Sequence, residues 1–228
     1  MQKPYIVCHM MMSLDGRIDC AMTEKIAGVS EYYETLRALN APTTVSGRVT
    51  AELEFGTLGK FKAATAAPLR KTAFSKKADC DSYECLVDSK GTLLWSKQVA
   101  NSSKPLLIIT SENVAIEYLK YLDEQNISWI ACGKNKTDLK TAAEILASEF
   151  NVSRIAVVGG GTINASFLAA GILDEISILL APAIDGRGGM KAVFDGLNMD
   201  SEPYHLKLIA AKTYDDGAIW LRYTTKNK

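Results

Sequence analysis

The residues best suited to chemistry in this sequence are three consecutive glycines, Gly159, Gly160 and Gly161. The apolar run 155–158 precedes them and predicts a strand buried on both faces. Thr162 then opens a segment whose apolar residues recur at helical spacing. Glycine lets an anion approach the backbone, and the N–H groups and dipole of a helix N-terminus favour negative charge. The pattern predicts a phosphate-binding turn for a nucleotide diphosphate. A tight strand-to-helix turn without a ligand is the alternative.

The composition argues against several other kinds of site. The 228 residues include 26 basic and 26 acidic side chains, so generic binding to nucleic acid or a membrane surface has no electrostatic support. No apolar run approaches the roughly 20 residues of a membrane helix, and no signal-peptide pattern is visible, so we expect a cytoplasmic protein. Five scattered cysteines and two distant histidines, His9 and His205, lack metal-ligand spacing. We therefore expect reduced thiols and no metal site.

Strands and helices are predicted to alternate around the glycines. Apolar runs predict strands at 5–11, 43–46, 106–109, 128–132, 154–158 and 176–181, and helical spacing predicts helices at 30–40, 114–125, 138–150 and 162–171. We expect Ser30 to be the N-cap of its helix. Alternation of this kind implies a largely parallel sheet with helices on both faces. No domain boundary is visible, so we expect a single domain over 1–228.

Two further segment pairs suggest hairpins. Segments 83–88 and 92–95 alternate weakly around 89–91 and are interpreted as one hairpin. Segments 204–214 and 218–225 flank Asp215, Asp216 and Gly217, which is a hairpin signal. The sheet is therefore expected to be mixed, with an antiparallel edge at the C-terminus.

The late position of the glycine turn disfavours a Rossmann dehydrogenase. In that fold the turn follows the first strand and an acidic ribose ligand comes later. Here the turn lies in the last third of the chain, and Asp174 and Glu175 directly precede the next strand.

Five short motifs together point to a known family. They are 12–18 (MSLDGRI), 36–38 (LRA), 47–50 (GRVT), 159–164 (GGGTIN) and 171–175 (GILDE). Their order and intervals resemble the dihydrofolate reductase-like superfamily, specifically the RibD C-terminal reductases of riboflavin biosynthesis. The resemblance covers nearly the whole chain and is weakest from 55 to 103. It implies a three-layer α/β/α fold with a central mixed, mostly parallel sheet and an antiparallel C-terminal edge hairpin.

The resemblance also implies an activity. Members of the family reduce the ribosyl group of 5-amino-6-(5-phosphoribosylamino)uracil to ribityl with NADPH. The protein would hold the nicotinamide against an electrophilic carbon, and orientation would lower the barrier. Met12 would contact the nicotinamide region through its backbone, and the Ser111 hydroxyl could serve a 2′-phosphate. The implied cofactor-binding residues are Met12, Thr50, Ser111, Gly159, Gly160, Gly161, Thr162, Ile163 and Asn164.

On the substrate side the resemblance implies Ser13, Arg37 and Glu54, with Asp15 as the catalytic candidate. A guanidinium is suited to reading a phosphate, although Arg37 could instead form a helix-surface ion pair with Glu31 or Glu34. For Asp15, an Asp-Gly turn is an equally good explanation.

Two departures from the family pattern leave the substrate open. Many members carry a Glu just before the glycine turn, facing the substrate, and in this chain that position is Gly159. They also carry a D-D-P-x-L-T stretch where this chain has 51–56 (AELEFG). A reductase of another heterocycle, such as a pterin or dihydrofolate, or of a carbonyl compound is therefore one alternative. A nucleotide-binding homologue without catalysis is the other.

Two surface features complete the expectations. The segment 55–78 has no acidic residue and six cations, of which one or two could face a substrate phosphate: Lys60, Lys62, Arg70, Lys71, Lys76 and Lys77. A solvated loop is the alternative. The C-terminal hairpin offers an edge for self-association, and the resemblance implies a homodimer.

Overall fold

The computed structural model describes residues 3–18, 20–54, 59–65, 67–95 and 104–225. Its internal contacts divide the chain into two units. Unit 1 comprises Met1–Pro4 and Pro42–Ser153, and unit 2 comprises Tyr5–Ala41 and Arg154–Lys228. The expectation of a single domain over 1–228 stays a prediction.

Ten strands and six helices are described. The strands are β1 (Tyr5–Met12), β2 (Thr43–Gly47), β3 (Ala73–Ser75), β4 (Glu84–Val87), β5 (Leu106–Thr110), β6 (Ser128–Ala131), β7 (Arg154–Val157), β8 (Glu175–Leu180), β9 (Lys207–Thr213) and β10 (Ile219–Thr224). The helices are α1 (Cys20–Thr23), α2 (Val29–Ala38), α3 (Arg48–Glu54), α4 (Ile116–Glu124), α5 (Leu139–Glu149) and α6 (Gly161–Ala169). In the described part of the chain, none of these helices is both long enough and apolar enough to cross a membrane.

In unit 1 the strand order is β3-β6-β5-β4-β2. The last four of these strands are parallel and β3 runs antiparallel to β6. All five residues of β5 are buried, as expected for a strand covered on both faces. Tyr118 and Leu122 of α4 pack in one cluster with Leu86 and Ile108 of the strands. At the end of α5, the ring of Phe150 contacts the rings of two aromatic residues, Phe74 and Tyr83.

The hairpin expected from 83–88 and 92–95 is wrong. Strand β4 lies between β2 and β5 and is parallel to both. Cys85 and Leu86, which point to opposite faces, are both buried, so this strand is central. The Asp88 carboxylate accepts hydrogen bonds from the N–H groups of Thr92 at 2.6 Å and Leu93 at 3.0 Å. A side chain that bonds the following backbone makes a local turn, and this turn produced the misleading signal.

In unit 2 the strand order is β7-β1-β8-β10-β9. The first three strands are parallel, and β9 and β10 form the antiparallel hairpin that the sequence predicts. Helix α2 begins one residue before the expected N-cap Ser30, whose hydroxyl instead donates to Glu31. The N-cap is Gly28, with φ of 102°. A side chain there would contact Met11 and Leu179, so glycine suits both the backbone and the space.

An ion pair to a buried carboxylate joins β8 and β10, and a hydrogen bond from β1 reaches the same carboxylate. The Arg222 guanidinium donates to both carboxylate oxygens of Glu175, at 2.5 and 3.0 Å, and the Tyr5 hydroxyl donates to one of them at 2.7 Å. Glu175 is only 2% exposed. Burial, together with the adjacent Glu175 carboxylate, raises the pKa of Tyr5 to about 12. These bonds satisfy a buried charge, which is what makes it tolerable.

We expect Arg222→Ala to lower the free energy of unfolding by about 3 kcal/mol, because it leaves the buried Glu175 carboxylate without its cation. Asp79→Ala is the control: its partner Lys76 lies 2.8 Å away but the Asp79 side chain is 92% exposed, so the expected loss is about 0.5 kcal/mol or less. Urea unfolding at pH 7 measures both values. Equal losses of unfolding free energy in the two variants would contradict the larger contribution expected from the ion pair of Glu175 and Arg222.

Candidate active site

The glycine turn lies between β7 and α6 in unit 2. Gly159 has φ of 119°, in the region that favours glycine, and Gly160 is the N-cap of α6 without a side-chain cap. The carbonyl of Gly160 accepts from the N–H groups of Ile163 at 3.0 Å and Asn164 at 3.1 Å. In the described residues, the N–H groups of Gly161 and Thr162 have no acceptor. Thr162 is exposed. The turn therefore offers two free donors and a hydroxyl to an anion.

The segment 183–195, here called the strap, packs against the start of α6. A side chain at Gly161 would collide with the carbonyl oxygen of Ala192. The Asp195 N–H donates to the Gly161 carbonyl at 3.2 Å, and the Asn164 amide donates to the Val193 carbonyl at 2.8 Å. Asn164 is completely buried, and its side chain binds the strap. A contact between Asn164 and the cofactor stays a prediction.

The turn 13–17 follows β1 and binds the other end of the strap. The Leu14 N–H donates to the Ala183 carbonyl at 2.7 Å, and the Arg17 guanidinium donates to the Met190 carbonyl at 2.5 Å. Ser13 is buried; its hydroxyl donates to Asp15 at 2.6 Å and accepts from the Arg17 N–H at 3.1 Å. The predicted substrate residue Ser13 is thus already engaged within its own turn. Its contact with substrate stays a prediction.

Asp15 binds the strap directly. Its carboxylate accepts from the N–H groups of Asp185 and Gly186, each at 3.0 Å. The hydrogen bond from Ser13, and then these two backbone bonds, lower the pKa of Asp15 far below its usual range. Asp15 is therefore ionised at any ordinary pH, and its carboxylate can accept hydrogen bonds but has no proton to give. The catalytic role expected for it stays a prediction.

Two other predicted residues of unit 2 lie on β1 and α2. Met12 is the last residue of β1, and its carbonyl accepts from the Ala181 N–H at 2.8 Å. Arg37 is exposed in the last turn of α2. The alternative ion pairs for Arg37 do not form in the described structure: Glu31 accepts from a serine, and Glu34 lies near a lysine of β9. The guanidinium is thus free to bind an anion.

A buried histidine holds α2 against the strands. His9 of β1 stacks on Tyr32 at 4.8 Å, and its Nε2 lies 3.2 Å from the Tyr32 carbonyl, which can only accept. Nε2 therefore carries the proton, and Nδ1 accepts from the Ser177 hydroxyl at 2.9 Å. The Ser177 oxygen in turn accepts from the Trp220 indole at 2.8 Å. This chain of bonds fixes the helix that carries Arg37.

The predicted residues of unit 1 lie in α3 and directly after β5. Thr50 lies half-buried in the first turn of α3. Ser111 follows β5, and its hydroxyl donates to the Ser89 carbonyl at 2.7 Å. That proton is therefore committed, and the oxygen of Ser111 retains only acceptor capacity. Glu54 ends α3, but its side chain lies outside the described part of the structure.

The basic segment 55–78 is partly outside the described residues. Two of its described cations form ion pairs at 2.8 Å, Lys76 with Asp79 and Lys77 with Asp123. These two lysines therefore have partners within the protein. In the described part of the chain, no three His, Cys, Asp or Glu side chains are grouped so as to hold a metal ion.

The contribution of the strap was missed by sequence reasoning. Its glycines and Asp185 indicate a turn, but no local pattern shows that it contacts both 13–17 and the start of α6. The sequence does contain an Asp-Gly turn at Asp15 and a second glycine-rich loop in the strap. Only the tertiary structure shows that these two loops contact each other.

The sequence of this chain matches a known family. The RibD C-terminal domain matches residues 4–220, so this chain belongs to that family. The dihydrofolate reductase-like α/β arrangement that the sequence predicts is confirmed. Similar proteins with curated names are reductases, which supports an oxidoreductase.

One relative and two solved structures illustrate the similarity. The 2,5-diamino-6-ribosylamino-4(3H)-pyrimidinone 5′-phosphate reductase of Methanothermobacter thermautotrophicus is 26% identical, with 98% of this chain and 99% of that protein covered. A pyrimidine reductase-like protein from Corynebacterium diphtheriae has a TM-score of 0.68 at 19% identity, covering 99% and 93% of the two chains. A riboflavin biosynthesis reductase of Saccharomyces cerevisiae has a TM-score of 0.64 at 18% identity, covering 97% and 90%.

Burial lowers the pKa of His9 from 6.5 to about 4, so the folded state resists its protonation. The unfolded chain takes up that proton as the pH falls below 6.5. We therefore expect His9 to contribute full stability above pH 6.5 and to lose about 3 kcal/mol of it between pH 6.5 and 4. Urea unfolding at pH 7, 5.5 and 4.5, compared with His9→Gln, isolates this term because other groups titrate in both proteins. Parallel pH profiles for the two proteins would contradict the assignment.

Proposed function

We propose that this protein is a reductase that converts the ribosyl group of a phosphorylated pyrimidine to ribityl, with NADPH as the hydride donor. The observation that carries the proposal is the glycine turn, whose Gly161 and Thr162 N–H groups are free, in a chain that belongs to a reductase family. When bound, the nicotinamide would supply the hydride. The residues of the protein would bind the cofactor and the substrate, orient them towards each other and exclude water.

The cofactor assignment begins at the turn. The free N–H groups of Gly161 and Thr162 would bind the diphosphate, assisted by the Thr162 hydroxyl and the dipole of α6. Gly159, Gly160 and Ile163 would contribute backbone that lets the diphosphate approach. The resemblance assigns Met12, Thr50 and Ser111 to the same cofactor. Because Ser111 donates its proton to Ser89, the choice of NADPH over NADH rests on the resemblance.

The substrate assignment follows the relatives. Their curated name is 2,5-diamino-6-ribosylamino-4(3H)-pyrimidinone 5′-phosphate reductase. The pyrimidinone in that name carries an amino group at C2, where the uracil implied by the family resemblance carries an oxygen. We take the diaminopyrimidinone as the preferred substrate. The guanidinium of Arg37 is exposed and has no partner among the described residues, and it suits the 5′-phosphate since it can donate two parallel hydrogen bonds.

Steady-state absorbance at the NADPH band tests this function. We expect oxidation of NADPH with the diaminopyrimidinone phosphate, a lower kcat/KM with the aminouracil phosphate, and none with dihydrofolate. Arg37→Ala is expected to raise KM about tenfold with little change in kcat, because a phosphate contact away from the reacting carbon binds substrate and transition state alike. Oxidation with dihydrofolate alone would favour the other-heterocycle alternative, and NADPH binding without any turnover would favour the non-catalytic one.

A homodimer is part of the proposal. Strand β9 is at the edge of the strand order, and all seven of its residues are exposed, including Leu208 at 53% and Ile209 at 50%. An exposed apolar edge strand invites pairing with another chain, and two identical edges can pair across a two-fold axis. The family resemblance implies the same state.

The four described cysteines are free thiols, which agrees with the cytoplasmic location expected from the sequence.

The dimer prediction concerns β9. We expect Leu208→Asp to shift the protein from dimer to monomer at micromolar concentration, because it places a charge on the apolar edge. Ile116→Asp is the control: Ile116 is 38% exposed at the start of α4, where an acidic residue is favoured. Sedimentation velocity reports the mass of each variant. A Leu208→Asp protein that stays dimeric would place the interface elsewhere.

A further inference from the structure

We propose that Asp15 is a positioning residue that holds the strap, 183–195, and through it the glycine turn in the form that binds the cofactor diphosphate. This inference rests on the proposed function, since it requires the turn to bind a dinucleotide. It assigns Asp15 a function that needs no contact with substrate and no proton transfer.

The first step is the attachment of the strap at Asp15. One carboxylate oxygen accepts from the Ser13 hydroxyl at 2.6 Å and from the Asp185 N–H at 3.0 Å. The other accepts from the Gly186 N–H at 3.0 Å and lies 3.8 Å from Nε of Arg17. The charge of Asp15 therefore satisfies two consecutive backbone donors of the strap. Hydrogen bonds to an ionised acceptor are stronger than neutral ones.

The second step is the continuation of this contact along the strap. Arg17 bonds the Met190 carbonyl at 2.5 Å and forms an antiparallel bridge with Ala192. The Ile18 N–H donates to the Lys191 carbonyl at 3.3 Å. Residues 13–18 and the strap are thus joined at several points. Among the described side chains, Asp15 is the only carboxylate that accepts hydrogen bonds from the Asp185 and Gly186 N–H groups.

The third step is the effect on the glycine turn. The Ala192 carbonyl occupies the space beside Gly161, and the Asp195 N–H donates to the Gly161 carbonyl at 3.2 Å. The Asn164 side chain is fixed by the Val193 carbonyl. The strap therefore buttresses the peptide whose free N–H groups would bind the diphosphate. If the strap loosens, those donors lose their fixed direction, and binding must then supply the ordering entropy.

The state of Asp15 separates positioning from catalysis. A general acid must carry a proton at the working pH, whereas this carboxylate is surrounded by donors and stays ionised, and its lowered pKa also makes it a weak general base. As a positioning residue, Asp15 should affect cofactor affinity and leave the pH dependence of turnover unchanged. As a catalytic acid or base, it should affect kcat and its pH profile and leave cofactor affinity unchanged.

The test compares Asp15→Asn with wild type. The amide keeps one acceptor but cannot accept from both strap donors, and its charge is lost. At a temperature where both proteins are folded by circular dichroism, we expect the Kd for NADPH, measured by fluorescence titration, to rise about tenfold, the equivalent of one charged hydrogen bond. The pH profile of kcat between pH 6 and 9 should keep its shape.

Two controls keep the outcomes distinct. Asp216→Asn changes another turn carboxylate of unit 2, which accepts from the Ala218 N–H at 2.9 Å, and should leave the Kd unchanged. Amide hydrogen exchange without cofactor should be faster in Asp15→Asn across the strap and 161–164, but not in β5. If wild type binds no NADPH, the proposed function fails. If wild type binds it and Asp15→Asn binds equally well, or if only kcat falls, the positioning function of Asp15 is refuted.

Discussion

The close approach of the Ala192 carbonyl to Gly161 is the constraint on which the candidate site depends. No side chain fits between them, so this position requires glycine for space rather than for its dihedral angles. The contact places the strap against the first turn of α6, where the N–H groups of Gly161 and Thr162 have no acceptor among the described residues. A helix start that is buttressed and uncapped is prepared for an anion, because its donors need no rearrangement on binding.

In unit 2 the candidate site lies at one end of the parallel strands, and a buried charge is satisfied towards the other end. The parallel strands β7, β1 and β8 bring the glycine turn, the turn 13–17 and the start of the strap to one edge, where their carboxyl ends meet. Ligands of open α/β sheets commonly bind at that edge. Glu175 is the first residue of β8, so its ion pair with Arg222 of β10 satisfies a buried carboxylate away from that edge.

Much of the fold could be predicted from the sequence because its signals are local. The apolar run of β5 and the Asp-Gly turn of the C-terminal hairpin each indicate their structure without help from distant residues. The turn after β4 was mistaken for a hairpin because Asp88 makes its contacts with the two residues that resembled a second strand. The site was predicted less completely. The free donors of the glycine turn follow from the motif, whereas the attachment of Asp15 to Asp185 and Gly186 joins residues 170 and 171 positions apart, which no local pattern contains.

The central claim is that the glycine turn binds the cofactor diphosphate, and fluorescence titration of NADPH against Thr162→Glu tests it most directly. Thr162 and Ser166 are both exposed on α6, one turn apart, so Ser166→Glu adds the same charge to the same helix face away from the N-terminus. We predict that Thr162→Glu weakens NADPH binding about tenfold or more, because the new carboxylate repels the diphosphate at the N-terminus of α6. Ser166→Glu should bind NADPH like wild type. Equal affinity in all three proteins would contradict the account.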